Sequence, residues 1–459
     1  MSRTESPDQS PGQSTGASTD RAATGLRRVV PGWVLVLFVI GDVLGAGIYT
    51  LVGQVSAEVG GAIWAPLLVA FGLAMLTAAS YAEMVTRFPR AGGAAVHVER
   101  AFRTPVASFL VGTSMLAAGL VSAAALSVAF AGDYLAALVD LPAAPVAVAF
   151  LVVLALLNAR GIKESLAANV VMTVVEIAGL VLVVALAAAV LGRGDGVVSQ
   201  VGRIEGDGAG AVGAVAAATV LAFYSFVGFE VSANVAEEAR DPRRAYPRAL
   251  FLGLGAAAVL YVLVALAVAA TVPLDRLTGS TAPLLEVVRV ADAAVPEQVF
   301  SLVALVAVGN GALLALIMAS RLAYGMARER LFPSVLARLL PRRRTPWAAI
   351  VATTAVAAVL AWTGDIASLA ATTVLLLLVV FVAVNASVLA LRWRERRGTA
   401  AGDSRADHFR TWWPLPVLAI AACVWLATQQ PLHVYLRAGV LLAVLGLVWA
   451  VTRLVRRAG

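Results

Sequence analysis

The strongest constraint on this chain is a succession of about twelve apolar runs, each near the roughly 20 residues that a helix needs to cross a bilayer. Lipid offers a backbone no water to bond, so such runs fold as helices that satisfy their own N–H and C=O groups. They lie near 33–55, 62–86, 104–131, 144–160, 165–191, 210–236, 246–271, 297–327, 347–362, 366–391, 413–428 and 434–454. Composition agrees. The chain is 61% hydrophobic and 14% charged, against roughly 25% charged in soluble domains. It reads as an all-α integral membrane protein with the lipid bilayer as its surroundings. Residues 1–28 are rich in Ser, Thr, Gly, Pro and Asp, hold no apolar run, and read as a disordered tail.

A net charge of +8 invites a nucleic-acid reading. Its distribution argues against one. Arg87, Arg90, Arg100 and Arg103 follow the second run, and Arg160 and Lys163 the fourth. Arg240, Arg243, Arg244 and Arg248 follow the sixth, Arg328, Arg330, Arg338 and Arg342 to Arg344 the eighth. Arg392, Arg394, Arg396, Arg397, Arg405 and Arg410 follow the tenth. The alternate loops carry Asp133, Asp140, Asp275, Glu286, Asp292, Glu297 and Asp365. Basic loops mark the cytoplasmic side. The expected location is therefore the cytoplasmic (inner) membrane, multi-pass, with both termini inside and no nucleic-acid partner.

Other chemistries find little support. The lone cysteine, Cys423, cannot form a disulfide within the chain or a cysteine metal site. His97, His408 and His433 fall in or near loops, so no histidine is expected at a midplane proton relay. No Gly-rich Lys-Ser/Thr motif is present to hold ATP. No metal cluster or Ser/His pair falls within the runs. An enzyme is not expected, nor a cofactor or metal.

Two runs are interrupted in a way a plain anchor would not be. Ile40-Gly41-Asp42-Val43-Leu44-Gly45-Ala46-Gly47-Ile48-Tyr49 places a carboxylate and several small residues inside the first. Glycine costs about 1 kcal/mol inside a helix, and a mid-membrane carboxylate roughly 2.5–3.5 kcal/mol. Phe223-Tyr224-Ser225-Phe226-Val227-Gly228-Phe229-Glu230 repeats the combination in the sixth run. Matching interruptions in two halves point to an inverted-repeat transporter with its site at the midplane. The expected fold is a five-plus-five inverted repeat with broken helices 1 and 6, plus two extra C-terminal helices. The first repeat would occupy 29–200, the second 201–398, and a cytoplasmic loop with helices 11 and 12 would fill 399–459.

These motifs carry a resemblance. Gly41 to Tyr49 resembles the first-helix motif of the amino acid–polyamine–organocation (APC) transporter superfamily, and Tyr224 to Glu238 its sixth-helix motif. Arg240-Asp241-Pro242-Arg243, Pro89-Arg90-Ala91-Gly92-Gly93, and Ser320-Arg321 with Tyr324, Ala327-Arg328 and Phe332-Pro333 resemble further segments in order. The likeness is nearest to bacterial amino acid permeases close to the cationic amino acid transporter branch. It implies an amino acid substrate.

The residues themselves suggest roles. A break at Gly45, Ala46, Gly47 and Ile48 exposes N–H groups at the positive end of a half-helix, a natural anion site. In the family this turn receives the substrate carboxylate; close packing of small residues is the alternative. Carbonyls freed near Tyr224, Ser225, Phe226, Val227 and Gly228 would suit an ammonium. The resemblance implies that the aromatic at Tyr224 closes over the substrate; an aromatic core stripe is the other reading. Gly119, with Ala123 and Ala124, would leave room beside the site for a long side chain. Glu176 lies about 12 residues into its run, roughly 18 Å deep. Ser165, Asn169, Thr173 and Glu176 form one polar stripe. Relatives place a lysine near Glu176, so their lysine-based mechanism cannot be carried over. Glu176 is either a coupling proton site or a hydrogen-bonded structural acid.

Asp42 and Glu230 flank the breaks and can pair with a cation, carry a proton or cap free N–H groups. Glu230 matches a family glutamate implicated in conformational coupling, whereas Asp42 departs from the family's small residue. Asn310 can meet the ion position or bond another helix. Glu237 and Glu238 read as a solvated salt-bridge cluster or a cytoplasmic gate. The function expected is secondary active transport of amino acids by alternating access, with proton symport as the coupling. Sodium coupling and exchange (antiport) are the alternatives, followed by a sensor or channel on the same fold. The particular amino acid or amine and the oligomeric state stay open.

Overall fold

The computed structural model describes residues 30–458 apart from 45–46, 89–92, 161–164, 206–209, 237–238, 279, 293–294 and 398–407. The 1–28 tail, Glu237, Glu238 and most of the Pro89–Gly93 motif thus lie outside the described residues. What is described is helical, with two isolated β-bridges and no strand.

Each apolar run of the sequence carries a helix. The first is split into α1 (Gly32–Leu44) and α2 (Gly47–Val59), whose axes meet at 40°. Then come α3 (Trp64–Arg87), a short amphipathic α4 (Gly93–Phe102), α5 (Pro105–Phe130) and one turn, α6 (Asp133–Ala136). α7 (Ala143–Arg160) and α8 (Ser165–Arg193) follow. The sixth run is α9 (Gly210–Tyr224), a stretch of turns, then α10 (Ser232–Val235). α11 (Pro242–Thr271) and α14 (Glu297–Arg328) are long, with α12 (Leu274–Leu277) and α13 (Pro283–Ala291) between them. The chain ends with α15 (Trp347–Thr363), α16 (Ile366–Arg396), α17 (Leu415–Thr428) and α18 (Leu432–Ala458). Among the described residues, eight helices are long and apolar enough to span, the bent α1–α2 pair makes up to nine, and α9, α15 and α17 are shorter apolar helices.

Local chemistry sets several of these ends. Proline opens α5, α11 and α13, where a missing N–H costs nothing. Asp365 caps α16 by accepting the Ser368 N–H at 2.8 Å. α18 presents Leu432, Leu436, Val440, Val444, Leu447, Val451 and Leu454 outward at helical spacing, an apolar stripe fitted to lipid.

Packing sorts the helices into two groups around the breaks. α11 packs on α1 and α3, and α9 on α2 and α3, while α5, α7, α14 and α15 all contact one another. α8 touches α1, α11 and α14, and α16 touches α3, α5 and α9, so these two join the groups. α17 packs on α3 and α16, and α18 on α16.

Candidate functional site

The two interruptions meet. After Tyr224 the chain leaves the α-helical pattern for tighter bonds three residues apart: Ser225 to Ala222 at 3.1 Å, Phe226 to Phe223 at 3.0 Å, Val227 to Tyr224 at 3.1 Å. Gly228 then takes φ +126°, a conformation side chains resist. A Cβ there would also lie 2.4 Å from the Asp42 carbonyl oxygen. Glu230 folds back so that its Oε2 accepts the Gly228 N–H at 3.0 Å. On the other break, a Cβ at Gly47 would lie 2.7 Å from the Ser225 Cα. Absence of a side chain at both glycines is what lets the half-helices touch. Tyr261 of α11 completes the junction. Its hydroxyl donates to the Val43 carbonyl or to the Ser225 carbonyl, the latter at 3.0 Å.

A cavity opens beside this junction, with a volume of about 80 Å³ for water-molecule centres. One water needs roughly 10–15 Å³ by that measure, so a small solute or several waters fit. Asp42, Gly47, Tyr224, Ser225, Val227, Gly228 and Glu230 line it, all expected from the sequence. α5 contributes Gly119 as expected, but its companions are Ala118, Ser122 and Leu126, while Ala123 and Ala124 are buried and lie off the cavity. Helical spacing puts 119, 122 and 126 on one face and Ala124 on the other, while Ala123 falls at the edge of that face. The Tyr224 hydroxyl lies 3.0 Å from Ser122 Oγ, tying the broken helix to α5. Gly311, Met318 and Thr373 complete the wall. It is mainly apolar with a few polar groups, the usual character of small-molecule sites.

Other expected residues sit elsewhere. Ile48 is buried next to Gly47 without lining the cavity. Phe226 turns into an aromatic cluster, 6.0 Å from Phe71 and 5.3 Å from Tyr261 between ring centroids. Gly45 and Ala46 lie outside the described residues. Glu176 and Asn310 form a separate buried pair beside α1: Asn310 Nδ2 donates to Glu176 Oε1 at 3.3 Å. Glu176 Oε2 and Asp42 Oδ2 are buried without a hydrogen-bond partner among the described residues. Thr173 shares the buried face with Glu176, while the side chains of Ser165 and Asn169 lie outside the described residues. The backbone connects this pair to the break, since Tyr49 of α2 donates to the Glu176 carbonyl at 2.8 Å. A Cβ at Gly41 would fall 1.9 Å from Thr173 Oγ1, so the Thr173 side chain of α8 packs directly on the α1 backbone there.

Sequence reasoning passed over Ser122, Met318, Thr373 and Tyr261. Ser122 was within reach, three residues from Gly119 on one face. Tyr261 bonds a carbonyl 218 residues away, and no local pattern signals that. His97 lies inside α4, the short helix that connects α3 and α5, and is buried. Burial holds its imidazole down at about 4.

A broken first helix, a broken sixth and a cavity between them are the architecture of a membrane transporter. The comparisons with known proteins agree. A family model described as amino acid permease matches residues 32–451, and the chain belongs to that family, within the APC superfamily and close to the cationic amino acid transporters. It is 32% identical to an uncharacterized transporter of Mycobacterium tuberculosis over 91% of this chain and 90% of that one. It is 26% identical to a branched-chain amino acid permease of Bacillus subtilis, over 71% of this chain and 72% of the relative. A vacuolar cationic amino acid transporter 2 of Arabidopsis thaliana is 30% identical, over 78% of this chain and 59% of its own length.

Proposed function

We propose that this chain is a secondary transporter that carries amino acids across the cytoplasmic membrane by alternating access, with proton symport as the coupling. The observation that carries the reading is the cavity held between two broken helices and bordered by Asp42 and Glu230. Among the described residues, no cation pairs with either carboxyl group or with Glu176. A buried carboxylate without a cationic partner is costly in its charged form. Such a group becomes affordable when it holds a proton or a bound cation, and transport supplies both.

In this reading the first turn of α2, beginning at Gly47, offers N–H groups and a positive dipole end to the substrate carboxylate. The ammonium sits toward Asp42, Glu230 and the carbonyls at the end of α9. Tyr224, anchored on Ser122, covers the substrate. Glu176 takes the coupling proton. Its backbone carbonyl is bonded to Tyr49 and its helix is in contact with α1, so a change of charge there bears on the angle between α1 and α2. Each of the two packing groups draws helices from both halves of the five-plus-five repeat, and the groups rock against each other about the site, with both termini cytoplasmic.

The test is Glu176→Gln in proteoliposomes. The variant should lose uptake driven by an inward proton gradient while keeping exchange of preloaded substrate. An unchanged pH dependence would sink the assignment of the proton to Glu176.

A further inference from the structure

A second cleft lies far along α16 from the central cavity, where that helix ends and the chain turns back into α17. Its volume is about 500 Å³, and its walls include Arg396, Arg410, Trp412 and Trp413. Three facts about it bear on what it holds.

The first is charge. Glu83 of α3 is buried and takes Arg392 in a two-pronged pair, with Arg392 Nε donating to Oε1 at 3.0 Å. Glu395 is shared between Arg87 at 2.7 Å and Arg410 at 3.0 Å. Two carboxylates therefore face three arginines, and Arg396 adds a further positive charge at the exposed rim. The second is aromatic content. Trp412 and Trp413 are 68% and 64% exposed, and Trp393 is 54% exposed with the Arg397 guanidinium 3.8 Å above its ring. Tryptophan exposed to this degree suits the headgroup layer, where an apolar ring and a polar N–H are both accommodated. The third is position. The cleft falls between the C-terminal end of α16 and the start of α17, which places it at the bilayer boundary if both apolar helices cross the membrane.

We infer that this cleft binds the phosphate of an anionic phospholipid headgroup, with Arg396 and Arg410 as its cationic ligands and Trp412 and Trp413 as flanking rings. A free phosphate shares the chemistry but not the location. The rings and the membrane level favour the lipid. Through Arg410, Glu395 and Arg87, the bound headgroup would touch the ion-pair network that ties α16 to α3.

Native mass spectrometry of the delipidated full chain in detergent tests this, with phosphatidylglycerol, phosphatidylcholine and inorganic phosphate as the probes. The wild-type chain should retain phosphatidylglycerol over phosphatidylcholine. R396Q should weaken that retention about fivefold, the usual weight of one arginine at an anionic surface, and R396K should keep most of it. R396Q should melt like wild type in phosphatidylcholine alone, which separates a lost ligand from a lost fold. Equal retention of phosphatidylglycerol by R396Q and wild type overturns the assignment. Displacement of the lipid by inorganic phosphate at comparable concentration also overturns it, and assigns the cleft to a soluble anion.

Discussion

Gly228 is where one residue type decides the site. Its φ of +126° and the 2.4 Å approach to the Asp42 carbonyl leave no room for a Cβ. Gly228→Ala should cost roughly 1–3 kcal/mol in backbone strain alone, seen as a lower melting temperature in detergent and loss of uptake. Wild-type melting and uptake would show that the turn adapts. His97 gives a pH prediction. Its ordinary value is 6.5 and burial lowers it to about 4. Between these values the unfolded chain binds the proton and the folded chain does not, so folding is favoured less as pH falls. Its share of the acid sensitivity should appear between pH 6.5 and about 4, and His97→Gln should reduce it in a melting series. At this scale much was legible in advance: Asp42, Gly47, Gly119, Tyr224, Ser225 and Gly228 are polar or small residues inside apolar runs, and that contrast is local. Phe226 was misjudged in direction, because an aromatic in a broken segment gives no hint of which way it turns.

At the scale of elements, α3 and α16 are joined by a buried pair. Glu83 is 1% exposed and accepts from Arg392 and from the Thr411 N–H, the latter at 2.9 Å. Removing one partner of such a pair typically costs about 3–5 kcal/mol, because the other charge is left buried. Glu83→Gln should fall in that range by thermal unfolding, and E83L/R392L together should recover part of it. A loss within 0.5 kcal/mol, the ordinary surface range, would contradict this. Tyr261→Phe removes the hydroxyl shared by the two breaks. The lost hydrogen bond is worth about 0.5–1.5 kcal/mol, and it should raise KM more than it lowers stability. The breaks themselves were readable from glycine and carboxylate placed in apolar runs. The long-range ties were not: Tyr261, which clamps the breaks, is 36 residues from Ser225, and Glu83 and Arg392, which join α3 to α16, are 309 apart, distances over which pattern carries no information.

For the whole molecule, apolar length and loop charge made the helical membrane fold legible, since both follow from the cost of unpaired backbone in lipid and the bias of basic loops. Which helices neighbour which was not, because every lipid-spanning run looks alike until it is packed. The orientation is open to direct test. Cys423 is 5% exposed and should be silent to a membrane-impermeant thiol reagent. A cysteine at Arg343, in a basic loop, should label only from the cytoplasmic side, and one at Asp195 only from outside; the reverse pattern would invert the protein. The central claim is proton-coupled amino acid transport through the cavity between the breaks. Uptake of labelled amino acids into proteoliposomes, with an imposed inward proton gradient and with or without sodium, addresses it most directly. Saturable uptake raised by the gradient and indifferent to sodium is the predicted result. Uptake that requires sodium, or that ignores the proton gradient, would contradict it.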